Sequence, residues 1–118
     1  MAFQDLREYL QALEKEGQLI HFTDQVWPEP DIRAISRGAV DMGPNCPGVL
    51  IENIKGYKGK RVAVNLHGGW ANHAIMLGMD KTTPLKEQFY ELARRWDDYE
   101  QGEIQWFEGG VPPCQAVI

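Results

Sequence analysis

Residues 49–66 read VLIENIKGYKGKRVAVNL, and this stretch decides the fold. Residues 49–54 are mostly apolar and half of them β-branched, which suits a strand. Residues 61–66 (RVAVNL) form a second such run. Between them, Lys55-Gly56-Tyr57-Lys58-Gly59-Lys60 is punctuated by two glycines and reads as a turn. Two strand patterns joined this closely predict a β-hairpin.

Working outward, the flanking segments switch to a helical period. Phe3, Leu6, Leu10 and Leu13 share one helical face, with Arg7, Glu8, Gln11, Glu14 and Lys15 opposite, and Gly17 suits the closing position. This predicts a helix over about 3–16. Residues 19–23 then alternate as a short strand, with Ile20 and Phe22 inward. Pro28 and Pro30 interrupt regular structure, and Pro30 is placed to open a second helix, about 31–42, burying Ile32, Ile35, Ala39 and Met42. Beyond the hairpin, a short helix is predicted over about 70–77, closed by Gly78. Thr83 reads as an N-cap with Pro84 at the first helical position of a fourth helix, about 84–96. Its stripe of Leu85, Phe89, Leu92, Ala93 and Trp96 predicts a core face, so that Phe89→Ala would cost about 3–5 kcal/mol. The expected class is α+β, a small sheet packed by amphipathic helices.

After Asp97 the pattern dissolves. Residues 97–113 are acidic and contain glycine and proline, which predicts a linker between a domain over 1–96 and something longer; residues 115–118 read as a strand that has only begun. The hydrophobic fraction is 43% and the charged fraction 25%, ordinary for a folded domain. The net charge is −5 and no basic stripe occurs, which disfavours nucleic acid as a partner. No apolar run approaches the roughly 20 residues that span a bilayer. The chain opens on a charged amphipathic pattern in place of a signal peptide, and its two cysteines make no disulfide framework, so a reducing cytoplasm is expected.

Candidate chemistry is sparse. The run Val64-Asn65-Leu66-His67-Gly68-Gly69-Trp70 passes from strand through glycines to helix, a layout that can aim N–H groups at a phosphate. It lacks the spacing of either common nucleotide-binding loop, so a tight turn is the simpler reading of Gly68 and Gly69. His67 and His73 are six apart, unlike paired ligands on one helical turn, and His21 falls on the polar phase of its strand. Cys46 and Cys114 have no neighbouring base and read as inert thiols. Glu52 and Asn53 lie inside an apolar strand, where Lys55 or Arg61 is the expected cation for the carboxylate. Trp70, Phe89, Trp96, Tyr99, Trp106 and Phe107 suit core or interface positions better than a ligand cradle.

The order of these segments carries a resemblance. FQDLREYLQALEKEGQLI (3–20) resembles the first helix and strand of UbiD-type decarboxylases, and VLIENIKGYKGKRVAVNL resembles their next landmark. NLHGGWANHAIMLGM (65–79), with Trp70, Asn72, His73 and Leu77-Gly78, is similar to the phenolic-acid subgroup acting on 4-hydroxybenzoate and vanillate. TPLKEQFYELARRWD (83–97) and PPCQAVI (112–118) continue it, with Ala116 where an acidic residue is the family's pattern. The resemblance implies non-oxidative decarboxylation of aromatic or α,β-unsaturated acids by a homo-oligomeric enzyme. It also implies prenylated FMN held with manganese and potassium in a flavin-binding domain that would begin about where this chain stops. No catalytic, cofactor-binding or metal residue is therefore assigned to any position here. The rival expectation is a free-standing binding or regulatory module that takes a phosphorylated ligand on the Gly68-Gly69 turn.

Overall fold

A computed structural model describes residues 3–98 together with Gly109 and Gly110. The element order is α1 (Leu6–Lys15), β1 (Leu19–Phe22), α2 (Asp31–Val40), β2 (Gly48–Ile51), β3 (Val62–Val64), α3 (Trp70–Met76) and α4 (Leu85–Asp97). This is the expected α+β class, with every element a little shorter than its sequence pattern except at the end of α4.

The hairpin is present: β2 and β3 pair antiparallel, with Val49 opposite Val64 and Ile51 opposite Val62. Its connection is longer than the 55–60 turn, because pairing stops at Ile51 and resumes at Val62. Gly56 and Gly59 take positive φ of 85° and 74° inside two successive turns, closed by Tyr57 N–H to Ile54 O and Lys60 N–H to Tyr57 O. The strand β1 adds to the other edge of β2 in parallel, which requires a crossover, and α2 supplies it. After a break, a parallel bridge between Val26 and Ile54 extends that pairing.

The sheet has a helix layer on each face. On one side Val49, Ile51, Val26, Ile54 and Ala39 are buried, with Phe22, Ile32, Ile35, Val62 and Val64 packed against them. On the other, Tyr9, Leu13 and Ile75 are buried, with Phe3, Leu19 and Leu66 alongside. Ile20 keeps its expected phase opposite Val49 but is 37% exposed, since β1 is an edge strand. Met42 is exposed as well, because α2 ends at Val40 and Met42 lies beyond its buried face.

Two helical faces differ from their expected orientation. In α1, Leu6 points to solvent and Tyr9 is buried in its place. The helix begins at Leu6, not Phe3, because Asp5 caps it: the Asp5 carboxylate accepts from Glu8 N–H at 2.9 Å, and the Glu8 carboxylate accepts from Gln4 N–H at 2.6 Å. Phe3 then folds back on the Tyr9 ring, with centroids 5.2 Å apart.

The larger difference is α4. Phe89, Leu92 and Trp96 are exposed, while Gln88 is buried. The helix packs along α3 and is held there by polar side chains. The Gln88 amide donates to Thr83 O at 2.8 Å and accepts from His73 Nδ1 at 2.9 Å, and Arg95 donates to Leu77 O at 2.6 Å. A fully partnered amide is stable in that position, and the apolar stripe is left facing away. The start is also shifted: Pro84 is the N-cap, and the Thr83 hydroxyl donates to Asp80 O at 2.6 Å and does not cap the helix. Asp97 belongs to the helix, and the Asp98 carboxylate accepts from Arg94 at 3.0 Å, so the first two acids of the 97–113 segment close α4 and do not open a linker. The remainder of that segment, and the strand pattern at 115–118, lie outside the described residues apart from Gly109 and Gly110.

These burials set opposite expectations for two substitutions in the 118-residue chain. Leu13→Ala removes a fully buried side chain and should cost about 2–5 kcal/mol. Phe89→Ala should cost less than about 1 kcal/mol, as an exposed residue does. Urea midpoints of both variants check this; a Phe89→Ala loss matching that of Leu13→Ala would mean that the stripe is core.

Candidate functional site

The strand-to-helix turn after β3 is where the chain's unusual residues converge. Asn65 leaves the strand with φ of 55°, a left-handed conformation that asparagine tolerates. Its amide donates to Pro47 O at 2.9 Å and contacts Cys46 Sγ at 3.3 Å. The two glycines that follow are needed for space, not for backbone conformation. A Cβ on Gly68 would lie 1.8 Å from Asn65 Oδ1, and one on Gly69 would lie 2.3 Å from Cys46 O. Gly69 therefore lets the start of α3 touch the backbone that leads into β2.

The same geometry consumes the N–H groups that a phosphate would need. Gly68 N–H donates to Asn65 O and Trp70 N–H donates to Pro44 O at 2.8 Å. The turn is thus a packed junction, and the phosphate-site expectation for Gly68-Gly69 fails because two of its donors are spent internally.

Beneath the turn lies a buried polar knot. The Tyr9 hydroxyl sits 3.0 Å from Leu66 O, 3.1 Å from Asn72 O and 3.4 Å from His67 Nδ1. Its ring stacks on His67 with centroids 5.4 Å apart. Burial pushes the Tyr9 hydroxyl up to about 12, so it stays protonated and donates to these carbonyls. Asn72, fully buried, donates to Leu66 O at 3.1 Å, while its Oδ1 has no hydrogen-bond partner among the described residues. Hydropathy alone does not mark Tyr9, because its hydroxyl masks a helical position that faces the core.

The histidines separate as their spacing suggested. His67 stacks on Tyr9, and His73 is fixed under α4 by Gln88 with Trp70 edge-on at 5.6 Å. His21 lies across the molecule between two carboxylates: Nδ1 donates to Glu52 at 3.1 Å and Nε2 to Glu14 at 2.9 Å. Glu52 also pairs with Arg61 at 3.7 Å, the cation expected for it, whereas Lys55 instead lies over the Trp27 ring at 3.8 Å. Asn53 ties its loop to Thr23 O at 3.3 Å. A cleft of about 530 Å³ opens beside Glu52, walled by Gln25, Asn53, Tyr57 and Lys58, with the Glu52 carboxylate already committed to His21 and Arg61.

Cys46 is buried and free, touched by Asn65. Cys114, Tyr99, Trp106, Phe107 and Ala116 lie outside the described residues. Among the described residues no three His, Cys, Asp or Glu side chains are arranged to hold a metal ion. Among the described residues no helix is long and apolar enough to cross a membrane.

Comparison with known proteins now bears on this arrangement. Residues 10–92 match the 3-octaprenyl-4-hydroxybenzoate carboxy-lyase N-terminal domain, UbiD_N. The chain belongs to the UbiD N-terminal domain family. It is 57% identical over 97 residues to a phenolic acid decarboxylase of Sedimentibacter hydroxybenzoicus, an alignment covering 82% of this chain and 20% of the relative. To the phenolic acid decarboxylase of Bacillus subtilis it is 54% identical over 99 residues, covering 84% of this chain and 21% of the relative. Among solved structures, the open form of the S. hydroxybenzoicus vanillic acid decarboxylase superposes with a TM-score of 0.80 at 55% identity, over 85% of this chain and 21% of that one. The closed form gives 0.77 at 57% identity, over 82% and 20%. The chain thus spans about a fifth of the length of these relatives. This family member's turn, polar knot and His21 bridge are architecture of the N-terminal segment.

The His21 bridge makes stability depend on pH. Hydrogen bonding to Glu52, assisted by Glu14, raises the His21 pKa above its ordinary value near 6.5, against a smaller opposing effect of burial. The stabilisation is then complete below about 6.5, the unfolded value. It is lost as pH rises through the higher folded value, because the neutral ring no longer donates to both carboxylates. NMR titration should place His21 above 6.5, and His21→Gln should abolish the fall in the urea midpoint over that window. A His21 titration at or below 6.5 would show that the bridge is not formed.

Proposed function

We propose that this chain is the N-terminal segment of a non-oxidative decarboxylase of phenolic acids, of the 4-hydroxybenzoate and vanillate type. The observation carrying this reading is the 57% identity to a phenolic acid decarboxylase across 82% of the chain. It is supported by superposition on vanillic acid decarboxylase with a TM-score of 0.80.

On this reading the domain's own role is architectural. It packs beside a flavin-binding domain of its own polypeptide and helps to shape a homo-oligomeric, cytoplasmic enzyme. Decarboxylation would rest on prenylated FMN with manganese and potassium, a cofactor that supplies the electron sink for loss of CO₂. Those groups belong to the part of the enzyme beyond this segment. What these residues contribute is a rigid body: a doubly bonded strand, two helix layers and a closed turn.

The test is a paired assay. The polypeptide encoded by the whole reading frame and the 118-residue chain are each supplied with prenylated FMN, manganese and potassium. The whole polypeptide should release CO₂ from 4-hydroxybenzoate or vanillate, and the 118-residue chain should not exceed a heat-killed control. No release from the whole polypeptide would overturn the decarboxylase reading. Release from the 118-residue chain would overturn the placement of the chemistry elsewhere.

A further inference from the structure

The helix α4 is attached to the domain by one flank and carries its apolar stripe on another. Gln88, Glu91 and Arg95 recur at i, i+3 and i+7, and Gln88 and Arg95 bond to His73, Thr83 and Leu77 of the domain. Leu85, Phe89, Leu92 and Trp96 recur at 4-3-4 spacing, a single narrow seam about a quarter-turn round the helix. All four are exposed, at 47%, 65%, 41% and 81%. Two aromatics and two leucines in one exposed line are an interaction face.

We infer that this seam is the docking face by which the domain seats on the remainder of its own polypeptide. This rests on the reading of the chain as one segment of a longer enzyme. Two observations choose that occupant over a second copy. The seam is one helix long, on the order of 20 Å at about 1.5 Å per residue, and one side chain wide. It falls well short of the roughly 800 Å² per partner of a standard stable interface between separate molecules. A covalently joined partner needs far less area, because the joining chain holds it at an effective concentration on the order of millimolar. The aligned segment is also only about a fifth of its relatives' length, and α4 is the last described element before the chain goes on toward the rest. On that reading a seam on this helix adjoins the polypeptide that follows it.

The experiment uses the polypeptide of the whole reading frame carrying Phe89→Lys together with Trp96→Lys. Lys58→Ser, on the exposed hairpin turn, is the control. Glutamyl endopeptidase cleavage at Glu100, Glu103 and Glu108 reports separation of the domain, and sedimentation reports particle size. The double variant should be cleaved there at least tenfold faster than wild type, with particle size before cleavage unchanged and the control behaving as wild type. Loss of particle size with unchanged cleavage would overturn the proposal in favour of a second copy on the seam. No change in either readout would overturn it in favour of a seam that faces water. The same two substitutions in the 118-residue chain should leave its urea midpoint unmoved; a large fall there would overturn the proposal by making the seam part of the domain's own core. A wild-type polypeptide that keeps the docking behaviour yet releases no CO₂ would refute the decarboxylase reading and leave this one standing.

Discussion

Everything in this domain is built against β2. It is the one described strand hydrogen-bonded along both edges, to β1 in parallel and to β3 antiparallel, and all four of its residues are buried. Burying a strand on both faces demands helices on both, and α2 and α1 with α3 provide them. It also demands that the chain entering β2 be held tightly. That segment is gripped from outside by the post-β3 turn: Asn65 donates to Pro47 O, Trp70 N–H donates to Pro44 O, and Gly69 lies against Cys46. The contact is intolerant of a single methyl group.

This arrangement explains why the most suggestive motif in the chain has a structural role. A strand–glycine–glycine–helix run is shared by anion sites and by close backbone junctions. The two differ in where the N–H groups go. Here Gly68 and Trp70 spend theirs within the protein, and Tyr9 and Asn72 secure the carbonyls behind them. Rigidity at this point suits the architectural role proposed for the domain.

The outward seam on α4 is the surface on which we infer docking. A helix that bonds inward through an amide and a guanidinium, and outward through leucine and aromatic side chains, has its apolar surface arranged for something other than its own core. The His21 bridge acts at the opposite level, joining α1, β1 and the end of β2 through one imidazole and two carboxylates. One is a surface left open and the other a local clasp.

Much of the architecture was legible in the residues themselves. The hairpin followed from β-branched runs around a glycine turn, the helices from their 3-4 spacing, and their ends from Gly17 and Gly78, each of which takes a positive φ. The family resemblance lay in the order of those same segments. These features are local: propensity and periodicity act over a few residues and need no partner. What the tertiary structure decided was which face of each helix turns inward. Periodicity locates an apolar stripe but not the surface it will meet, so Leu6 and the α4 seam face out while Tyr9 and Gln88 are buried where distant carbonyls and an imidazole satisfy them. The parallel partner of β2, the Glu52 carboxylate at His21 and the steric need for Gly69 are likewise contacts between residues far apart in the chain, and no local rule of sequence contains them.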